Sequence, residues 1–499
     1  MKRREGNSMR ELQLKFISNT VTARWFQILN VIEREQTFTI VNLSERLEVS
    51  QRTLITDIGY LKLHFEKSAR FTYNSNRYTF EETDRLFYQE QKQQLLADEV
   101  LFEIIGNIFY GEIDTLTALA DYYSYSESTL RRFLVLAQKA LIDYDLEVSF
   151  TPVTIIGKEE NIRKFFFDFY YEGAQTPHTL HPPKDLHELL IEELSEHLGE
   201  YELGTGCTVT AFYYLLYITM ERNRQGLTVT LPEQLKTIDV QERDFQLLFS
   251  LQGAIERRYG VRLSKEEFCW VYYQIISRRT LNRRDQEELF FDRFNKWPEL
   301  KMITTAFLSK SGIDQREQDL LGPFLDTFFL TRKYNDQISP VLNKVMAEEK
   351  VSVITNYSSE LKRAIHFLDE YQVLLGLSEA YFEDVAVSLT LYSYILFHYY
   401  APKRTILFLL EGDYLITQYI RAQAQQLLGY RHSIRYLKIK ELNEAQLKHE
   451  EVDLLVTNYS PYVSDYSLTK DYVLMKQVPD RQDWARVLDK LNSLVNKPV

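Results

Sequence analysis

The chain has 499 residues, 45% of them apolar and 26% charged, and a formal net charge of −12. At roughly 100–200 residues per domain this length predicts three to five domains, and the composition excludes bulk disorder, collagen-like repeats and low-complexity sequence. The cysteines, Cys207 and Cys269, are too few for a disulfide framework or a cysteine-held structural zinc, and they suit a reducing cytosol.

With 17 Gly and 12 Pro the chain is poor in turn formers, which predicts many helices. The basic start Lys2-Arg3-Arg4 has no apolar run behind it. The longest apolar stretches, near residues 211–220 and 385–397, fall short of the ~20 residues that a bilayer span needs. A soluble, cytoplasmic chain that engages no membrane is expected. The net acidity is unevenly spread: residues 1–80 carry 13 Lys and Arg against 8 Asp and Glu, whereas residues 81–170 carry 8 against 17. A nucleic-acid footprint is a local property, so the total charge does not exclude one.

Trp25, Ile28, Leu29 and Ile32 recur at helical spacing and predict a helix over residues 23–35, followed by a short one over 40–47. Ser50 offers a capping oxygen to a third helix over 51–65, with Leu54, Ile58, Leu61 and Phe65 as its buried stripe. Aromatic and Thr-rich arms around Asn74-Ser75-Asn76 predict a hairpin over 70–80. Three helices and a hairpin make the plan of a winged helix-turn-helix, which lays the start of its third helix in the major groove of DNA. Gln51, Arg52 and Thr56 take the exposed side there, with Ser50 and Thr53 at the helix start and Arg70 and Arg77 on the hairpin. Gln suits adenine edges, and Arg suits guanine edges or phosphate. A helical hairpin with a solvated face is the plainer reading; the added hairpin and the local positive charge favour DNA.

Residues 90–172 repeat the plan, with helices over 94–110, 115–122 and 127–143, a hairpin over 146–157 and a closing aromatic helix over 159–171. Ser126, which caps the third helix, Ser128, Thr129, Arg131 and Arg132 are the DNA candidates of this copy. Its acidic surroundings leave a structural or dimer-forming role open. The aromatic run over 165–171 reads as packing. Pro177, Pro182 and Pro183 mark a linker over 175–184. Helices over 187–198, 209–224, 244–259, 265–278, 318–334, 359–371 and 383–399 then predict two all-helical domains. After Ala401-Pro402-Lys403-Arg404, strands over 405–410, 433–438, 452–457 and 471–475 alternate with helices over 414–428 and 480–495, a small α/β sheet. The expected fold class is therefore multidomain and mainly α. Its boundaries fall at 10–85, 86–172, 173–285, 286–401 and 402–499.

Among the 9 histidines, His178 and His181 read as linker residues, and His187 and His197 stand about 80° apart around one helix, which is no ligand pair. His366 and His398 lie in the second helical domain, and a lone His beside aromatics, as at His398, is ordinarily packed. No phosphate-binding glycine motif, metal-binding His-Glu-x-x-His or nucleophile elbow occurs. No metal, no cofactor and no enzymatic activity are expected.

The order of these parts resembles the Mga/AtxA family of Gram-positive virulence regulators. The local anchors are Val49-Ser50-Gln51-Arg52-Thr53-Leu54, Ser126-Glu127-Ser128-Thr129-Leu130-Arg131, Val153-Thr154-Ile155-Ile156-Gly157-Lys158-Glu159-Glu160 and Glu221-Arg222-Asn223-Arg224-Gln225-Gly226. The resemblance implies two helix-turn-helix units, two helical phosphotransferase-system regulatory domains and a C-terminal domain like a sugar-transporter IIB component. It further implies a DNA-binding activator that forms a homodimer or higher homo-oligomer. Phosphocarrier proteins of the sugar phosphotransferase system would act on its histidines. Tyr213, Tyr214 and Leu215 stand where related domains often carry His, so His187, His197 and His398 are the candidates for phosphorylation. No cysteine follows Cys269, so the C-terminal domain lacks the phosphorylated Cys of a working IIB component and suits dimerisation or sensing. The contrasting expectation is a phosphorelay or protein-interaction module whose helix-turn-helix units serve assembly.

Overall fold

Short polar side chains at helix starts lay out most of the architecture. Asn19, Thr39, Ser50, Asp84, Thr115, Ser126, Thr208, Ser264 and Asp413 each accept a hydrogen bond from a backbone N–H of the helix that follows. These bonds satisfy donors that a helix start leaves without an intrahelical partner. A computed structural model describes residues 9–194, 201–236, 242–281, 283–313, 315–400, 403–430, 432–436, 452–465 and 471–495. The chain divides into two compact units, residues 1–280 with 331–358 and 377–385, and residues 281–330 with 359–376 and 386–499.

In the first unit, α1 (Glu11–Leu14) precedes α2 (Thr20–Glu35), β1 (Thr37–Phe38), α3 (Ile40–Leu47), α4 (Gln51–His64) and the hairpin β2 (Ala69–Asn74) and β3 (Arg77–Glu82). The sheet order is β1-β3-β2, antiparallel throughout. Ile28, Leu29, Ile32, Leu43, Leu54, Ile58, Leu61, Phe65, Phe71 and Phe80 close one apolar core beneath it.

Next come α5 (Arg85–Gln94), α6 (Val100–Tyr110), α7 (Leu116–Tyr122), α8 (Glu127–Leu141), the hairpin β4 (Glu147–Phe150) and β5 (Val153–Ile156), and α9 (Glu159–Tyr170). The sequence periodicity predicts one helix over 94–110. The chain instead leaves the helix at Leu95, runs through short i to i+3 bonds such as Leu96 N to Gln93 O, and restarts where Glu99 caps Leu101. Two apolar stripes in near-register across a tight turn look continuous to a 3.6-residue period.

Helix α9 is the hub of this unit. Phe165, Phe166 and Phe169 are fully buried, with rings 5.6 and 5.0 Å from Phe16 (Phe165 and Phe169), and 5.1 Å from Phe109 (Phe166). Gln13 donates from Nε2 to the carbonyls of Phe169 and Ala174 at 3.2 and 2.9 Å and accepts from Ala174 N at 2.7 Å. The linker region 175–183 forms no helix or strand. Beyond it lie α10 (Lys184–Leu194), α11 (Val209–Arg224), α12 (Glu233–Lys236), α13 (Arg243–Phe249), α14 (Leu251–Tyr259) and α15 (Lys265–Ile276). The predicted helix over 244–259 is broken at Ser250, whose hydroxyl donates to Leu247 O at 2.7 Å; a hydroxyl bonded to nearby backbone competes with the helical ladder.

In the second unit, α16 (Arg284–Phe294), α17 (Glu299–Lys310) and residues 315–330 of α18 (Gln315–Ile338) pack with residues 359–375 of the helix Ser358–Leu375. The Phe307 and Phe367 rings meet edge to face at 4.9 Å. The helix Phe382–Ile395 passes into one π-helical stretch, Leu396–Tyr400, where the sequence predicts uninterrupted α-helix to 399. The last domain is a parallel sheet in the order β7-β6-β8-β9, made of β6 (Thr405–Leu409), β7 (Ser433–Tyr436), β8 (Leu454–Thr457) and β9 (Tyr472–Leu474). The helices Tyr414–Leu428 and Arg481–Val495 complete its core through Ile420, Ala424, Leu428, Trp484 and Val487. Predicted strand residues 437–438 lie outside the described residues.

Asp326 on α18 carries a pH dependence. Burial raises its carboxyl from 3.8 to about 6, against smaller opposing effects of Thr304 and Lys301. The folded chain therefore holds this proton where the unfolded chain has released it. Stability falls as pH rises from about 4 to about 6, and the cost persists above that. Asp326→Asn is expected to remove this slope and to stabilise the second unit at pH 7 by about 2–3 kcal/mol. Hydrogen exchange across residues 299–330 at pH 4 to 7 checks it; equal protection of both proteins at pH 7 would refute it.

Candidate nucleic-acid interface

The connection from α3 to α4 is three residues long. Glu48 takes a left-handed conformation at φ 54°, Ser44 Oγ donates to Val49 O at 2.6 Å, and Ser50 Oγ accepts from Thr53 N at 3.2 Å. This tight turn sets α4 across α3 with its first turns pointing outward. Leu54, Ile58 and Leu61 face the core, while Gln51, Arg52, Ile55, Thr56, Gly59, Lys62 and Leu63 are exposed.

Asp57 locks the helix in place. Its carboxylate is 6% exposed and accepts from Arg24 Nε at 2.5 Å, Arg24 Nη2 at 3.1 Å and Trp25 Nε1 at 3.0 Å, all on α2. The hydrogen bond to Asp57 raises the pKa of Arg24. The Trp25 ring stacks on Tyr60 at 4.2 Å.

The predicted residues of this unit take distinct places. Ser50 and Thr53 share a 2.8 Å hydroxyl contact inside the cap, and Thr56 donates its hydroxyl to Arg52 O at 3.1 Å. These groups shape the helix start. Among the described residues, the side chains of Gln51 and Arg52 have no hydrogen-bond or ion-pair partner, so both stand ready for a ligand. The hairpin turns through Ser75 and Asn76 at φ 50° and 63°, the paired left-handed geometry of a two-residue hairpin loop. Arg77 stands exposed beside that tip, and Arg70 is exposed on β2 in register with Glu81. Sequence reasoning passed over Ile55, Lys62 and Lys67, all exposed. Ile55 and Lys62 could have been found by continuing the period from Arg52.

The second copy has the same local logic. Ser126 Oγ accepts from Thr129 N at 3.2 Å and lies 2.9 Å from both Ser128 Oγ and Thr129 Oγ1. Arg131 lies over the Phe150 ring at 4.5 Å, which ties α8 to its hairpin, and Arg132 lies 5.8 Å from the Phe133 ring. Glu127 accepts from the Thr117 hydroxyl at 2.6 Å, and Asp121 and Glu147 are exposed nearby in the chain. An anionic ligand meets more opposing charge here than at α4.

Helix α9 fastens this second copy to the helices behind it. Arg163, 2% exposed, donates to Glu267 on α15 at 2.5 and 3.1 Å, to Glu159 at 3.0 Å and to Leu227 O at 3.0 Å. Arg222 on α11 donates to the same Glu159 at 2.9 and 2.8 Å. Burial is the largest single influence on Arg163 and opposes its charge, but the Glu267 and Glu159 carboxylates together outweigh it and the pKa is raised.

His187 is exposed and hydrogen-bonds through Nδ1 with Tyr213 OH, at the edge of a cleft of about 520 Å³ that Tyr171, His181, Pro182 and Tyr214 also line. His398 sits in the π-helical stretch, half-buried, with Nδ1 2.9 Å from Tyr394 O and its ring stacked on Tyr394 at 4.1 Å. His197 lies outside the described residues. At the carboxyl end of β6, Glu411 N donates to Asn458 Oδ1 at 2.9 Å, and Tyr462 OH donates to the Glu411 carboxylate. This crevice presents carboxylates, with Asp413 capping the next helix. Among the described residues no group of His, Cys, Asp or Glu could hold a metal ion, and no helix is long and apolar enough to cross a membrane.

Residues 84–170, which take in α5 to α9, match the Mga helix-turn-helix domain family. The capsule synthesis positive regulator AcpB of Bacillus anthracis is 23% identical over 263 residues, 49% of this chain and 51% of that protein. A Streptococcus pneumoniae serotype 4 protein named as a trans-acting regulator is 26% identical over 151 residues, 30% of each chain. The chain thus spans about half the length of the first relative and under a third of the second.

Proposed function

This chain resembles the Mga/AtxA family of regulators, and from that premise we propose that it is a DNA-binding transcriptional regulator that activates its promoters. Two helix-turn-helix units, over 10–85 and 86–172, bind double-stranded DNA. Two helical regulatory domains, over 173–285 and 286–401, and an α/β domain, over 402–499, govern assembly as a homodimer or higher oligomer. The observation that carries this reading is the outward face of α4. Among the described residues, Gln51 and Arg52 stand there without side-chain partners, on a helix locked from behind by Asp57 and followed in the chain by the hairpin that exposes Arg77. Ser50, Thr53, Ser126, Ser128 and Thr129 shape the two helix starts, and Thr56, Arg70, Arg131 and Arg132 flank the same faces. Coupling to carbon supply comes through phosphorylation of His187 or His398 by a phosphocarrier protein. A phosphate adds close to two negative charges beside the ring.

The test is binding of the full chain to promoter duplexes across a salt series, for wild type and the Arg52→Ala/Arg131→Ala double variant. Wild-type affinity is expected to fall steeply with salt, and each lost phosphate contact flattens the logarithmic slope by about 0.9. A lost base contact costs about 1–3 kcal/mol. Equal affinities at near-physiological salt would remove these helices from the interface. No wild-type binding even at low salt would favour an assembly role. The same assay after incubation with phosphorylated carrier protein tests the histidines: no label uptake and unchanged affinity would refute that part.

A further inference from the structure

The exposed face of α4 includes one position that carries no side chain, Gly59. At about 100° per residue, Gly59 falls within about 20° of Arg52, opposite the buried stripe of Leu54, Ile58 and Leu61. Ile55 and Thr56 lie one turn earlier on either side of it, and Leu63 one turn later. Ile55 is 55% exposed and Leu63 67% exposed, so the whole strip faces outward.

Nothing in the fold calls for a glycine here. A Cβ built on Gly59 meets no heavy atom within 4 Å. Its φ is not among the positive values of the chain, so no left-handed backbone needs it. It caps nothing, because it sits in the ninth position of a fourteen-residue helix that runs from Gln51 to His64. Glycine is the poorest helix former after proline, so this position gives up helix stability with no intramolecular return. The remaining use of a glycine is to let something outside the chain approach the backbone closely.

We propose that Gly59 is the place where a DNA duplex comes closest to α4, the absent side chain letting the helix seat against the wall of the major groove. This rests on the DNA-binding reading above and deepens it. Seated so, the helix brings Arg52 and Thr56 to polar base edges and gives Ile55 an apolar contact of the kind a thymine methyl makes. Lys62, exposed one turn along, faces the phosphates that border the groove.

The test sets two readouts of opposite sign on one substitution in the full chain. Gly59→Ala is expected to raise the melting temperature of the first helix-turn-helix unit by about 3–8 °C, because alanine is the better helix former and has room. It is expected to weaken duplex binding, measured by fluorescence anisotropy, by about tenfold, and Gly59→Leu to weaken it further. Gly59→Ala with wild-type affinity beside an Arg52→Ala variant that has lost affinity overturns the role of Gly59 and leaves DNA binding standing. Unchanged affinity in both variants overturns the DNA reading and this inference together. A melting temperature that falls, or an oligomeric state that shifts while duplex affinity holds, overturns it as well, since then the space is needed by the fold or by a second copy.

Discussion

Glu267→Ala is expected to destabilise the first unit by about 3–5 kcal/mol. Glu267 has no solvent exposure and accepts three hydrogen bonds, two from Arg163 and one from Val229 N at 3.0 Å. Truncation strands the Arg163 guanidinium, itself 2% exposed, with only Glu159 and one carbonyl to answer it, and Arg222 already claims both oxygens of Glu159. A buried charge that loses its partner costs far more than the pair contributes. Replacing both partners by apolar residues, Arg163→Met with Glu267→Leu, should recover much of the loss. Chemical denaturation combined with hydrogen exchange over α9 and α15 checks both. A single variant as stable as wild type would sink the idea, as would a double variant no better than the single.

The same network crosses the linker. Arg163 and Glu159 belong to the segment that matches the Mga helix-turn-helix family, whereas Glu267 and Arg222 belong to the helices after the linker. The second helix-turn-helix copy is thus fastened through α9 to α11 and α15 by charge-assisted bonds in a dry environment. Where the chain enters the proline-rich segment 175–183, Gln13 holds Ala174 by a pair of hydrogen bonds.

What the sequence reveals here is what local chemistry decides. Ser50 and Ser126 are legible as caps because a serine oxygen before an amphipathic run has one common use. Asn74-Ser75-Asn76 is legible as a turn because few residues accept paired left-handed angles. The alternation of strands and helices after residue 404 is legible for the same reason, since its breaks fall at polar and glycine residues. The break at residues 95–99 is hidden because the apolar residues on both sides keep helical spacing across it. The π-helical stretch under His398 is hidden because an i to i+5 turn leaves no mark in composition. Asp57 and Arg163 are hidden for a deeper reason. Each reads as a charged residue on a helix, and only partners 33 and 104 residues away turn it inward.

Asp57→Ala is the second large effect, and it separates position from contact. Asp57 touches no ligand face; it points into the protein and holds Arg24 and Trp25 of α2. Its loss leaves an indole N–H and a guanidinium without their acceptor and frees the register of α4 against α2. A cost of about 2–4 kcal/mol to the packing of α2, α3 and α4 is expected. Asp57→Asn keeps an oxygen for Trp25 and loses the ion pair, so it should fall between. Duplex affinity should drop in the order wild type, Asn, Ala, with the salt slope unchanged, because no phosphate contact is removed. Arg52→Ala should instead lower affinity with the stability of the unit intact. Hydrogen exchange over residues 20–65, read beside anisotropy on the same proteins, tells the two apart. If Asp57→Ala flattens the salt slope as a lost phosphate contact does, Asp57 acts at the interface and its assignment as an internal anchor is wrong.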